Sequence, residues 1–294
     1  MPVAALLLVL GAAICHSVWN LLIKAEPRRV EVQLGAIGVG AVLAAPVLAV
    51  YSITSLSAFA WLLVVVSALL ETAYMFSLSA AYGAGDLSLV YPVARGTAAF
   101  LVAPLAVVVL GERLSATGVV GIVLVVLGIA LSHRGLRTRE TIEWTRLRSF
   151  AAPVGGRAFR LALLTGLMTS GYSLVNKMGV TAMAVPLYGF LVFVLDAIFI
   201  NVVLLLRGQA AWPLRRGGPW RATLAVGVLM VSSYFAVLSA MARAPVAYVV
   251  AAREVSIVIA AMLGTLVLRE GQSAVRLSGA FVIFVGLVLI AFSR

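Results

Sequence analysis

The run Asp86–Leu131 contains Tyr91-Pro92-Val93-Ala94-Arg95-Gly96 and, further on, Leu110-Gly111-Glu112-Arg113. A displacement of 158 positions brings part of it onto Ala244–Leu289. Ala94-Arg95 falls on Ala252-Arg253, Leu110 and Glu112 on Leu268 and Glu270, and Ser115-Ala116 on Ser273-Ala274. Gly121 and Gly128 fall on Gly279 and Gly286. An arginine, a glutamate and two glycines in one register mark an internal repeat, so the chain reads as two similar halves. Each half sets an arginine well inside an apolar run. A charge in lipid costs about 3 kcal/mol or more, so a repeated one points to function.

The surrounding chain has the composition of a membrane protein. Of 294 residues, 63% are hydrophobic and 11% charged, against about 25% charged in a soluble domain. A spanning helix takes about 20 apolar residues. Ten runs qualify: 3–23, 34–53, 59–81, 87–110, 115–132, 160–179, 185–206, 220–242, 245–268 and 273–292. The expected fold is an all-α integral membrane protein. Ten transmembrane helices form two inverted five-helix repeats, 1–132 and 160–294, around a central cavity. Five helices per repeat is an odd number, so the second half crosses in the opposite sense, as in many secondary transporters. The connection 133–159 includes RGLRTRETIEWTRLRSF. It reads as a basic amphipathic segment on anionic head groups or as a solvated linker.

The net charge of +12 would suggest nucleic acid in a soluble protein. Here the basic residues cluster between apolar runs, as membrane topology requires, so no nucleic-acid partner is expected. Sixteen Lys and Arg fall on the side of the 133–159 linker and four on the other. The positive-inside rule puts that linker in the cytoplasm and both ends of the chain outside. The single cysteine, Cys15, excludes a disulfide framework. No basic residue precedes Val3–Leu10, and Ala12-Ala13-Ile14-Cys15 is a poor lipoprotein box, so 3–23 reads as a first spanning helix.

Five formally charged residues lie well inside the runs: Glu71, Arg95, Asp196, Arg253 and Glu254. Lipid-facing placement is too costly, so they face the interior or a water-filled cavity. They either pair structurally, for example Arg95 with Glu71, or line a pathway. Three acids and two arginines do not reduce to simple pairs. Ser88, Tyr91 and Arg95 share one helix face, and Pro92 frees the carbonyl of Ser88, which suggests a broken helix near the midplane. Glu71, Tyr74 and Leu78 form another face. Ser232, Ser233, Tyr234 and Ser239 lie on helix eight. His16, Trp19 and Asn20 lie on helix one, and Thr169, Tyr172, Ser173 and Asn176 on helix six. A cavity lined by Tyr74, Tyr91, Trp19, Asn20, Tyr234 and Ser173, with Arg95 and Arg253, suits a small solute with an apolar part and an anionic group. Arginine grips carboxylate or phosphonate in bidentate fashion.

Glu71, Asp196 and Glu254 are candidates for proton coupling or charge balance, because burial favours the neutral carboxyl. His16 is either proton-responsive or simply hydrogen-bonded. The only two lysines, Lys24 and Lys177, follow similar strings, Trp19–Ile23 and Tyr172–Asn176. They either snorkel at helix ends or serve as burial-sensitive point charges. Glu112 and Glu270 read as turn or cap residues, with gating as the alternative. Helices five and ten, charge-free and Gly-spaced, read as scaffold. No metal-ligand spacing, Gly-x-Ser-x-Gly or P-loop occurs, which argues against an enzyme or a nucleotide-driven pump and leaves no cofactor to expect.

Trp19 to Lys24, the run LSLVYPVARGTAAFLVAPLAVVVLGERLS and the Gly-spaced helix after it resemble the EamA family of the drug/metabolite transporter superfamily. The segment ending VLREGQSAVRLSGAFVIFVGLVLIA looks like its second copy, although Arg269-Glu270-Gly271 departs from the Gly-Glu-Arg form. The resemblance implies a multi-pass protein of the bacterial inner membrane and secondary transport from a central cavity. It implies that helices one, three, four, six, eight and nine line that cavity, with five and ten peripheral. Family members move amino acids, related metabolites and drugs, often outward. The Tyr-Pro-Val-Ala-Arg-Gly-Thr string resembles members associated with phosphonate metabolism. The expected function is alternating-access transport of amino acids or related carboxylates, in the export direction. The alternatives are a flippase or exporter for an anionic lipid-linked or phosphonate-type metabolite, and hydrophobic-cation efflux. Expected partners are the small-molecule substrate and membrane lipids, with the chain a monomer or homodimer. A reporter active only in the cytoplasm, fused after Arg294, is expected to stay silent, and activity there would reverse the topology.

Overall fold

The computed structural model describes residues 1–85, 87–134, 156–208, 219–259 and 274–293, and these are helical with short connections and no strand. The helices are α1 (Val3–Ala25), α2 (Arg29–Ala44, continued by a 3-10 turn Ala45–Ala49), α3 (Ala58–Ala84), α4 (Leu87–Leu110) and α5 (Ala116–Arg134). They continue as α6 (Arg157–Ala182), α7 (Val185–Leu206), α8 (Trp220–Met241), α9 (Val246–Arg253) and α10 (Ala274–Phe292). Punctuation is local. Pro2, Pro219 and Pro245 stand at the N-caps of α1, α8 and α9. A ring with fixed φ and no N–H costs nothing there. Gly111 has φ +65° and ends α4, and Gly208 has φ +68° just past α7. Only glycine adopts that backbone at little cost.

Seven stretches among the described residues are long and apolar enough to cross a membrane: Val3–Ile23, Glu31–Ala49, Ala58–Ala84, Val93–Leu110, Arg157–Ala182, Val185–Leu206 and Trp220–Met241. The apolar parts of α5 and α10, Ala116–Leu131 and Ser278–Phe292, are shorter. Of the expected span 245–268, the described part ends at residue 259; Glu270 and positions 135–155 also lie outside the described residues. Leu206 is 83% exposed and Val108 81%. Apolar side chains turned outward to that degree suit hydrocarbon rather than water. Several hydroxyl groups among the described residues return to their own helices, as lipid favours. Ser17 Oγ donates to Ala13 O (2.8 Å), Thr169 Oγ1 to Thr165 O (2.9 Å) and Ser170 Oγ to Gly166 O (2.9 Å).

The helices form two compact units. Unit one holds Ala73–Gly171 and Pro245–Arg294, with Met1; unit two holds Pro2–Thr72 and Tyr172–Ala244. Each draws on both halves of the sequence. In unit two, α8 packs against α1 and α2, and α7 against α2 and α8. Val32, Ala36 and Val226 make a core there, covered by Trp19, Ile23, Ala222 and Met230. In unit one, α5 lies along α10, α4 beside α5, and α9 touches α4, α5 and α10. Ala81, Val90, Ala94, Ala158 and Ala162 form a second core.

The α5–α10 contact is the closest approach in unit one that repeats. A Cβ on Gly121 would stand 2.7 Å from Gly286 O, and one on Gly286 2.6 Å from Gly121 O. A Cβ on Gly128 would stand 2.8 Å from Gly279 O. The two helices therefore run antiparallel, and the first glycine of each half meets the second glycine of the other. Small residues let backbones touch in lipid, where close packing replaces the missing hydrophobic drive. Gly121→Leu is expected to cost about 1–3 kcal/mol through overpacking. Gly11→Leu, where a Cβ meets nothing within 4 Å, is expected to be neutral. Thermal unfolding in detergent checks the contrast, and equal melting of the two variants would contradict it.

Candidate polar centres in two helical units

In unit two, helices α3, α6, α7 and α8 converge on the Glu71 carboxylate. Its Oε1 accepts from Tyr234 OH (2.9 Å), Asn176 Nδ2 (3.0 Å) and Ser67 Oγ (3.3 Å). Ser67 stands four residues before Glu71, so both lie on one face of α3. Asn176 Oδ1 in turn accepts from Ser67 Oγ (2.5 Å) and Tyr188 OH (2.7 Å). Tyr188 is fully buried, and its ring occupies the space that a side chain at position 179 would need; the residue there is Gly179. Asp196 is buried on α7 and accepts from Thr72 Oγ1 at 3.2 Å. Thr72 adjoins Glu71 in the chain, which sets both carboxyl groups in one polar centre. Phe193 stands edge-on to Tyr234 at 5.0 Å and closes the apolar side.

Lys177 follows Asn176 but belongs to a different arrangement. Its Nζ donates to Met241 O (2.5 Å) and Ala244 O (3.0 Å), at the C-terminal end of α8. The ammonium thus satisfies carbonyls that the helix leaves open, at the negative end of its dipole. His16 meets Trp19 edge-to-face at 4.9 Å, and Trp19 covers the Val32–Ala36–Val226 core. Asn20 is exposed and returns its amide to His16 O at 2.7 Å. Ser173 is fully buried.

In unit one the centre is an ion pair. Arg95 on α4 reaches Glu254 with two donors, Nε to Oε2 at 3.0 Å and Nη2 to Oε1 at 2.8 Å. Both side chains are largely buried, 12% and 3% exposed. Two parallel bonds from one guanidinium to one carboxylate is the geometry that distinguishes arginine from lysine. Arg253, half-buried, precedes Glu254. The helical ladder tightens at this point. Glu254 N–H donates to Ala251 O (3.1 Å) and Ile257 N–H to Glu254 O (2.9 Å), both three residues back. Residues 255–259 then resume the helix. The interruption expected at Pro92 is therefore found on α9, while α4 runs unbroken from Leu87 to Leu110. Pro92 sits in the second turn, so the one rung it forgoes lies next to the helix start.

The other end of α9 is also held by the first half of the chain. Glu112 Oε1 accepts from Val246 N–H (2.8 Å), and Tyr248 OH accepts from Ser115 N–H (2.8 Å). Glu112 of the Leu-Gly-Glu-Arg turn is thus a cap for another helix's first turn, where a carboxylate is favourable. Tyr74 is half-buried on the unit-one part of α3, where its carbonyl accepts from Ser77 Oγ (3.0 Å) and Thr165 Oγ1 donates to Ser77 Oγ (3.1 Å).

The structure thus brings together Glu71, Asp196 and Tyr234 in one unit, and Arg95 and Glu254 in the other. The side chains of Tyr91 and Lys24 lie outside those described. Sequence reasoning passed over Ser67, Thr72 and Tyr188. The four-residue spacing to Glu71 was a signal for Ser67; Tyr188, in the first turn of α7, reads as an ordinary interfacial aromatic.

Residues 157–292 match the model of the EamA-like transporter family. Over that part the chain is similar to members of that family. A solved crystal structure is similar to it over 98% of this chain and 96% of its own, with TM-score 0.74 and 17% sequence identity, a likeness of fold alone. No curated protein matches at a significant level. EamA-like proteins are transporters, and the apolar helices make this one a multi-pass membrane protein. Asn176→Leu strands Ser67, Tyr188 and Glu71 at once and is expected to cost at least about 1–3 kcal/mol. Asn201→Leu removes only a bond to Ala197 O on its own helix and is expected to be close to neutral. Melting in detergent separates the two, and equal melting would remove Asn176 from its place in the centre.

Proposed function

We propose that this protein is a secondary transporter of small organic anions, amino acids or related carboxylates, working by alternating access in the export direction across an inner membrane. The observation that carries this reading is the charge of the unit-one centre. Arg95, Arg253 and Glu254 set two guanidinium groups against one carboxylate on apolar helices. A guanidinium in lipid is stabilised by an anion in contact with it, so the segment favours an anionic guest. Tyr74, with Tyr91 on the Arg95 face of α4, is assigned to the apolar part of the substrate. Glu71 and Asp196, two carboxyl groups in one polar centre, are assigned to coupling or charge balance. Trp19, Asn20, Tyr234 and Ser173 are assigned to the pathway in unit two.

Alternating access rests on two repeats of opposite sense, 1–132 and 160–294. The reciprocal meetings of Gly121 with Gly286 and of Gly128 with Gly279 support that layout. The basic linker 133–159 is assigned to the cytoplasmic surface. A duplicated plan makes one chain sufficient for a pathway, as a monomer or within a homodimer. The competing reading is efflux of hydrophobic cations, favoured by Glu71 and Asp196 in one centre with Tyr234 and Phe193.

A thermal-shift screen in detergent separates them, using amino acids, dicarboxylates, aminophosphonates and hydrophobic cations. A ligand at one hundred times its Kd adds about 2.7 kcal/mol of stability. The expected result is an anionic hit on the wild type that is lost in Arg95→Gln and in Arg253→Gln. Hits confined to cations, or anionic hits unchanged in both variants, would overturn the anion reading.

A further inference from the structure

We infer that Glu254 is a tethered stand-in for the carboxylate of the substrate: it occupies the guanidinium of Arg95 in the empty transporter and must be displaced before an anion binds. The inference rests on the anion reading above and narrows it to acids that present two oxygens to one guanidinium. Its ground is the pairing itself. Arg95 spends Nε and Nη2 on the two oxygens of one carboxylate, at 3.0 and 2.8 Å, in a place from which water is nearly excluded. A free carboxylate offers the same two oxygens at the same spacing, so it and Glu254 compete for one fork.

The position of Glu254 in the backbone suits a part that moves. It stands where the α9 ladder shortens to bonds three residues back, and such discontinuities are where spanning helices bend or rotate at functional sites. The segment is anchored at its far end by Glu112 on Val246 N–H and by Tyr248 on Ser115, so the freedom is local to residue 254.

Displacement has a consequence for protons. A carboxylate stripped of its counter-charge in an apolar segment takes a proton, because the isolated buried charge is the costlier state. The charged groups acting on Glu254 are Arg95 from α4 and Arg253 from its own helix. The described side chains of α5 and α10, the other helices packed against α9, carry no charge. One anion bound to the arginines and one proton left on Glu254 keep the charge of the segment that of the empty state plus nothing. Substrate and proton therefore load together in unit one, independently of the acid pair in unit two.

The test needs no known substrate. Purified protein in detergent is labelled with phenylglyoxal, an arginine reagent, and the extent at Arg95 and Arg253 is read by peptide mass spectrometry. Wild type, Glu254→Gln and Glu254→Asp are compared, with succinate, L-leucine or 2-aminoethylphosphonate as protecting probes. Freed of its competitor, Arg95 is expected to label about tenfold faster in Glu254→Gln, as a binding-competent state rises from a minor to a major population. Half-protection by a carboxylate or phosphonate probe is expected at a concentration lower by a similar factor. Glu254→Asp, whose shorter arm cannot reach both donors, is expected to change in the same direction and keeps the test alive should the glutamine variant misfold. Equal labelling of Arg95 in all three proteins, or equal protecting concentrations, would overturn the stand-in and leave anion binding intact. Absence of protection of either arginine by any probe in any protein would overturn the anion reading and the stand-in with it.

Discussion

Hydrocarbon offers no hydrogen bonds, so a polar group carried into it has to find a partner inside the protein. The Arg95–Glu254 fork meets that demand for two full charges at once. It ties α4 of the first half to α9 of the second, with both side chains nearly closed off. Breaking a buried pair by removing one partner is costly, because the other charge is stranded. The same demand explains unit two, where Asn176 divides its amide between a carboxylate and two hydroxyls, and Lys177 turns to the open carbonyls of α8. It also explains why serine and threonine on α1 and α6 return to their own helices.

Much of the fold was legible because lipid simplifies the code. Apolar length alone located the helices: the run 3–23 became Val3–Ala25, and 160–179 became Arg157–Ala182. The glycine register was legible as well, since Gly121, Gly128, Gly279 and Gly286 occupy matching places in the two halves and then meet each other. The Leu-Gly-Glu-Arg turn announced its glycine, which takes a left-handed backbone, and its glutamate, which caps a helix.

Partnership across helices was less legible. From the sequence, Arg95 was weighed against Glu71; in the structure its carboxylate is Glu254, and Glu71 is held by Tyr234, Asn176 and Ser67. Which helix faces which is a tertiary property, and an i, i+4 spacing carries no word of it. Tyr188 shows the same limit. A tyrosine in the first turn of a helix suggests the membrane interface, yet packing past Gly179 takes its hydroxyl to Asn176. The helix discontinuity was expected where proline stood and occurs at Glu254, where the ladder shortens to bonds three residues back.

The central claim is that an anion and a proton replace an internal ion pair. Calorimetry of an anionic ligand binding to the purified protein, repeated in buffers of different ionisation enthalpy, counts protons directly. The account predicts about one proton taken up per anion bound, through the linkage of binding to protonation, and none in Glu254→Gln. Wild-type binding with no proton uptake, at a pH where Glu254 is paired with Arg95, would contradict it.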